Sequence, residues 1–212
     1  MLKAVISALA LAATLTFSVE RASAQSGPPV AVVDDHAIYH DPDAPELGNP
    51  KGDVTIVEFF DYQCPYCRKL HPDLMRLVQE DGRIRLVLKD WPILSPFSKV
   101  AAKVALAAKY QGKHAAAHAA LMAIPGRLDQ QKIDAAAASA ELDAARLNAD
   151  AQAHKDEIEA LLARTNQIAE SIDLTGTPAL IIGPFLAPGG MSYDNLKKAV
   201  AQARATQAKP KG

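Results

Sequence analysis

The two cysteines of this 212-residue chain stand three positions apart, in Cys64-Pro65-Tyr66-Cys67, where a β-branched and aromatic run gives way to a helical pattern. The run from Val54 to Phe60 is short and apolar nearly throughout, as a strand buried on both faces requires, and Glu58 is its one exception. Beyond Cys64, Leu70, Leu74, Leu77 and Val78 fall on one helical face. Pro72 lies inside this pattern and predicts a kink, and Gly82 closes it. Ile84 to Lys89 forms a second strand. Strand, helix and strand at this spacing predict a βαβ unit, with a parallel pair joined by a right-handed crossover.

A CxxC at a strand-to-helix junction places its first sulfur at the helix N-terminus. Free N–H groups and the helix dipole there favour thiolate over thiol, so Cys64 is the predicted nucleophile. Cys67, one turn later, faces inward within reach of it, as a resolving cysteine must. Pro65 suits the first helical turn because its missing N–H has no partner to lose, and with Tyr66 it shapes the site locally. The spacing alone is shared with other sites. Zinc would need two further ligands, and His71 is the one near neighbour. Haem attachment would need His directly after the second Cys, where Arg68 stands. A structural disulfide would close too short a loop to restrict much chain entropy.

Alternation along the strand puts Glu58 on the side of Phe60 and Tyr62, toward the start of the helix. A buried carboxylate there has a raised pKa and can carry a proton for Cys67; on an edge strand it would instead lie in water. Asp61 is expected to be exposed near the helix start and His71 to lie on the surface. His114 and His118 stand four apart on one predicted helix, a metal-compatible spacing with no third ligand in sequence.

Lys3, the apolar run Ala4 to Val19 and the triplet Ala22-Ser23-Ala24 read as a secretory signal peptide over residues 1–24. Its removal takes Lys3, Glu20 and Arg21 with it and moves the formal charge from -1 to -2. Such a balance lacks the basic excess that nucleic acid requires. An exported chain that spends both cysteines on one motif is not using them as ordinary staples. Its core must come from apolar packing.

Residues 25–53, rich in Pro and Gly, predict an extended lead-in with one edge strand at Val30 to Val33. From Ser95 to Asp173 the chain is alanine-rich and helical, broken at Gln111-Gly112 and Pro125-Gly126. Ile158, Leu161, Leu162, Thr165, Ile168, Ala169 and Ile172 mark its clearest helix. A short strand from Ala179 to Ile182 follows Thr177-Pro178. A turn-rich stretch through Pro188-Gly189-Gly190 then leads to a last helix from about Ser192 to Ala205.

This order, and above all GNPKGDVTIVEFFDYQCPYC, resembles the DsbA family of bacterial periplasmic thiol-disulfide oxidoreductases and, within it, the ScsC-like branch. The likeness runs from about Asn49 to Ala205. It implies an α/β, thioredoxin-like fold over 54–94 and 174–206 with an inserted α-helical domain at 95–173. It further implies that Cys64 attacks, Cys67 resolves, Glu58 matches the buried acid, and Pro178 is cis beside the dithiol, with Thr177 touching and pairing with an extended substrate. No cofactor beyond the redox-active disulfide and no metal is expected. Partners would be exported proteins with cysteines and a membrane redox partner. The short, Pro-rich lead-in argues for a monomer. The expected activity is dithiol oxidation; isomerase or reductase action, and a periplasmic copper- or zinc-binding module held by the two thiolates, stay open as alternatives.

Overall fold

The computed structural model describes residues 35–208. The signal peptide and the strand expected at Val30 to Val33 lie outside the described residues.

Inside the lead-in the chain is not simply extended. It forms a one-turn helix α1 (Asp35–Tyr39) and an edge strand β1 (Glu46–Gly48). Long-range polar bonds hold it. The buried Lys89 ammonium donates to the Ala37 carbonyl at 3.2 Å and to Asp41 at 3.3 Å, while Arg164 reaches Asp41 at 3.0 Å and Asp43 at 2.6 Å. A buried lysine needs such a partner, because an unpaired charge in a low-dielectric interior is strongly disfavoured. At Gly48, with φ +76°, an added Cβ would lie 2.5 Å from the Ile84 carbonyl oxygen, so only glycine fits this close crossing.

Strand β2 (Val54–Phe60), helix α2 (Pro65–Asp81) and strand β3 (Ile84–Asp90) build the βαβ unit. β2 and β3 are parallel, with Glu58 opposite Leu88 and Phe60 opposite Asp90. The helix runs through Pro72, buries Cys67, Leu70, Leu74, Leu77 and Val78, and ends at Gly82, whose left-handed backbone lets its N–H donate to the Val78 carbonyl.

Five helices follow: α3 (Pro96–Ala108), α4 (His114–Met122), α5 (Gln130–Ser139), α6 (Ala144–Ala153) and α7 (Lys155–Ser171). Ser95, Asp129 and Asp143 cap α3, α5 and α6 by accepting from the backbone N–H three residues on. Ala101, Ala102, Ala105, Ala107 and Ala108 are fully or almost fully buried, the close packing that small side chains permit.

The chain returns to the sheet as β4 (Ala179–Ile182), turns at Gly183-Pro184 into β5 (Phe185–Pro188), and ends in α8 (Tyr193–Gln207), capped by Ser192. The turn-rich stretch thus contains a strand, its pattern obscured by two prolines within six residues of sequence. The sheet order is β1-β3-β2-β4-β5, with β1, β4 and β5 antiparallel to their neighbours. β2 is central, which removes the edge-strand alternative for Glu58.

Candidate active site

Cys64 occupies the N-cap of α2 with extended backbone, and its N–H donates to the Asp61 carbonyl at 2.9 Å. Pro65 follows at the first helical position. Both cysteines are free thiols and buried. As a thiol, Cys64 donates to the Thr177 carbonyl oxygen at 3.2 Å. As a thiolate it is held first by the Cys67 thiol, then, against the cost of burial, by the Thr177 side chain and the amides of Cys67 and Tyr66. Together these bring its pKa from 9.0 down to about 5. Cys67 goes the other way: burial first, then its bond to Cys64 and the nearness of Glu58, push its thiol far above the ordinary range.

The pair is therefore split into a sulfur ionised at neutral pH and a sulfur that holds its proton. Such a split suits one attacking and one resolving thiol.

Glu58 is fully buried, and neither of its oxygens accepts a hydrogen bond from a described residue. Burial first, and the Cys64 charge second, raise its carboxyl from 4.5 to about 8. It carries a proton at pH 7 and lies near enough to Cys67 for their charges to interact. Asp90, on the same face of the sheet by its register with Phe60, is a second buried carboxyl without a partner among the described residues, and burial holds it well above its usual range. The sequence reading missed it because the apolar pattern stops at Lys89.

Two expectations are corrected. Asp61 is not exposed: at 1% accessibility it accepts from the Gln63 amide at 2.7 Å and the Leu94 amide at 2.8 Å, pinning the loop before Cys64 to the loop after β3. His71 is half-buried rather than freely exposed, its ring 4.9 Å from that of His118. His114 and His118 are buried, and the His118 Nδ1 meets the Tyr62 hydroxyl at 2.9 Å. Phe60 and Tyr62 pack edge-on against His118 as well. These imidazoles join α2 to α4, and desolvation keeps them neutral, with His114 lowered from 6.5 to about 4. Among the described residues no three metal-binding side chains are grouped to hold an ion.

The Thr177–Pro178 peptide bond is cis. Both residues line a groove of about 550 Å³ together with Tyr66, Lys69, Gly190 and Met191. Tyr66 is 66% exposed at its rim. Thr177 and Pro178, contributed by the segment before β4, thereby come beside the dithiol at the start of α2.

A family described as thioredoxin matches residues 40–202. A thioredoxin-like oxidoreductase from Silicibacter pomeroyi DSS-3 is 41% identical, covering 81% of this chain and 98% of that one at a TM-score of 0.77. The thiol-disulfide exchange protein alpha-DsbA2 of Wolbachia pipientis is 29% identical over 79% of this chain and 90% of its own, with a TM-score of 0.75. The catalytic domain of Proteus mirabilis ScsC is 26% identical, covering 81% and 94%, with a TM-score of 0.74. Among curated relatives, the Na(+)/H(+) antiporter NhaA 1 of Salinispora arenicola is 29% identical over 181 residues. The chain spans about a quarter of that antiporter's length, 26%. No described helix is long and apolar enough to cross a membrane.

Proposed function

Because the chain belongs to the thioredoxin family, with ScsC and DsbA2 proteins among its structural neighbours, we propose that it is a thiol-disulfide oxidoreductase that oxidises pairs of cysteines in exported proteins. The observation that carries this is the opposed titration of the two sulfurs, Cys64 brought down to about 5 and Cys67 pushed up. A stabilised Cys64 thiolate favours the reduced dithiol, and a dithiol that prefers to be reduced makes its disulfide a good oxidant.

The electrons are carried by Cys64 and Cys67 themselves, with no cofactor. In the oxidised protein a substrate thiolate attacks the Cys64 sulfur. The Cys64–Cys67 bond breaks, a substrate–Cys64 mixed disulfide forms, and the Cys67 sulfur leaves with the electron pair. Glu58, protonated at pH 7, supplies the proton that this buried sulfur demands. A second substrate thiolate then attacks the substrate sulfur of the mixed disulfide. The substrate disulfide forms and Cys64 departs as the thiolate that its hydrogen bonds favour. Two substrate thiols are oxidised and one protein disulfide is reduced.

Thr177 and Pro178 bind the substrate backbone in the groove beside Tyr66, and Pro65 and Tyr66 set the shape of its entrance. The leader-like N-terminus supports a periplasmic site of action for a monomer, with a membrane redox partner to reoxidise the dithiol. In an exchange assay of the reduced protein with a disulfide-bonded peptide, Cys64→Ser is expected to form no adduct, and Cys67→Ser, which lacks the resolving thiol, to accumulate the Cys64–peptide mixed disulfide. Full activity in Cys64→Ser would overturn the assignment.

A further inference from the structure

A second groove, of about 610 Å³, lies on the next face of α2, between that helix and the turn from α4 to α5. It begins at Gln63 and Pro65, the residues on either side of Cys64, and its wall includes Arg68, Lys69, Ala123, Pro125 and Arg127. Three cations and no carboxylate line it, in a chain whose formal charge is -1.

The Asp61 carboxylate and the Cys64 sulfur lie near enough to Arg68 to offset its charge, so Lys69 and Arg127 carry the unpaired positive charge of the groove. Lys69 and Arg127 are exposed and enter no ion pair among the described residues. Arg68 is fixed between the helix and the far wall, donating from Nε to the Tyr62 carbonyl at 2.7 Å and from Nη1 to the Gly126 carbonyl at 2.5 Å. Of the nearby carboxylates, Asp61 is buried and accepts from two backbone amides, Asp73 faces the other groove, and Asp129 pairs with Lys132 at 3.4 Å. The groove beside Thr177 is lined instead by the balanced pair Lys69 and Asp73.

Building on the oxidoreductase reading, we propose that this second groove selects protein substrates carrying Asp or Glu within about four residues of the reacting cysteine, the reach of a short extended segment. Pro65, Ala123 and Pro125 give that segment an apolar wall, and Lys69 and Arg127 receive its carboxylates. Charge complementarity of this exposed kind acts chiefly on the rate of encounter and fades with salt.

The test uses two peptides, each with one cysteine and differing only in flanking Glu or Lys, reacted with the oxidised protein. Adduct formation is followed by mass spectrometry, and each rate is divided by that peptide's rate with a neutral small-molecule disulfide, which removes the effect of flanking charge on the thiol itself. The acidic peptide is expected to react about three- to tenfold faster at low salt. The preference should shrink at about 1 M salt and invert in Arg127→Glu. Lys69→Glu, on the opposite wall, should move it in the same direction. Equal normalised rates in the wild type, or a preference that neither substitution alters, would overturn the proposal. Oxidation of dithiothreitol by the wild type separates the two readings. If it fails, the activity itself is misassigned; if it proceeds with no acidic preference, only the groove assignment falls.

Discussion

Replacing Glu58 by Gln removes a titration from the centre of the sheet while keeping the side-chain shape of the neutral acid. In the folded, reduced protein this carboxyl titrates near 8 against 4.5 for the ordinary group. The folded state therefore holds a proton that the unfolded chain releases between about pH 4.5 and 8, and stability contributed by this group falls as pH rises through that window. At pH 7 the penalty is about 1.36 kcal/mol for each of the roughly 2.5 pH units above the unfolded value, or about 3 kcal/mol. The full burial of Glu58 leaves little solvent to screen it. Urea unfolding of both reduced proteins at pH 4 and pH 7 measures it. The stability difference, variant minus wild type, should grow by about 3 kcal/mol from pH 4 to pH 7; any constant cost of burying the amide cancels. Parallel pH profiles would refute the placement of a neutral Glu58 in the core.

Alkylation of Cys64 by iodoacetamide should follow a thiolate with a midpoint near pH 5, while Cys67 stays unreactive up to pH 9; a midpoint near 9 would remove the basis for the split pair. The potential of the pair should accordingly fall by about 59 mV per pH unit below pH 5 and by about 30 mV per unit above it, because the reduced form then binds one proton instead of two. His114→Gln should flatten acid destabilisation. The folded imidazole is depressed from 6.5 to about 4, so the unfolded state gains a proton first and wild-type stability is lost as pH falls through that range, by up to about 3 kcal/mol at pH 4. Unchanged acid limbs in the variant would contradict it. In the oxidised protein, Glu58→Gln should slow proton delivery to Cys67, lowering the rate of mixed-disulfide formation at pH 7 by at least about tenfold; stopped-flow mixing with a single-cysteine peptide reads this step.

Local pattern carried much of this molecule. Val54 to Phe60 and Ala179 to Ile182 form strands with those very bounds because their apolar, β-branched character is continuous and both strands are buried. The helix after Cys64 was legible from its four-residue apolar spacing and from Gly82, which takes the left-handed conformation expected of it. What local pattern does not encode is what distant residues supply. The lead-in is ordered by Lys89 and Arg164, which meet Asp41 from 48 and 123 positions away. Asp61 is buried because the Leu94 amide, 33 residues on, needs an acceptor. The imidazoles of His71 and His118 meet only when α4 packs on α2. Short strands interrupted by Pro or Gly, β1 and β5, carry too few residues to show an alternation. Glu58 was visible as an exception in an apolar run, but its burial depends on the strand order that puts β2 in the middle.

The direction of electron flow is tested most directly by equilibrating the Cys64–Cys67 pair against a series of glutathione buffers at pH 7 and quantifying reduced and oxidised protein after acid quench. A Cys64 pKa moved from 9.0 to about 5 favours the reduced form at pH 7 by at most about 2.7 kcal/mol, or about 60 mV, an upper limit because solvent at the groove mouth screens part of it. Added to the potential of a thioredoxin-type dithiol, about -270 mV, this predicts a value approaching about -210 mV, on the oxidising side of that reductant. A potential at or below about -270 mV would contradict the account, because the dithiol would then be a reductant and the stabilised Cys64 thiolate would have no consequence for the chemistry.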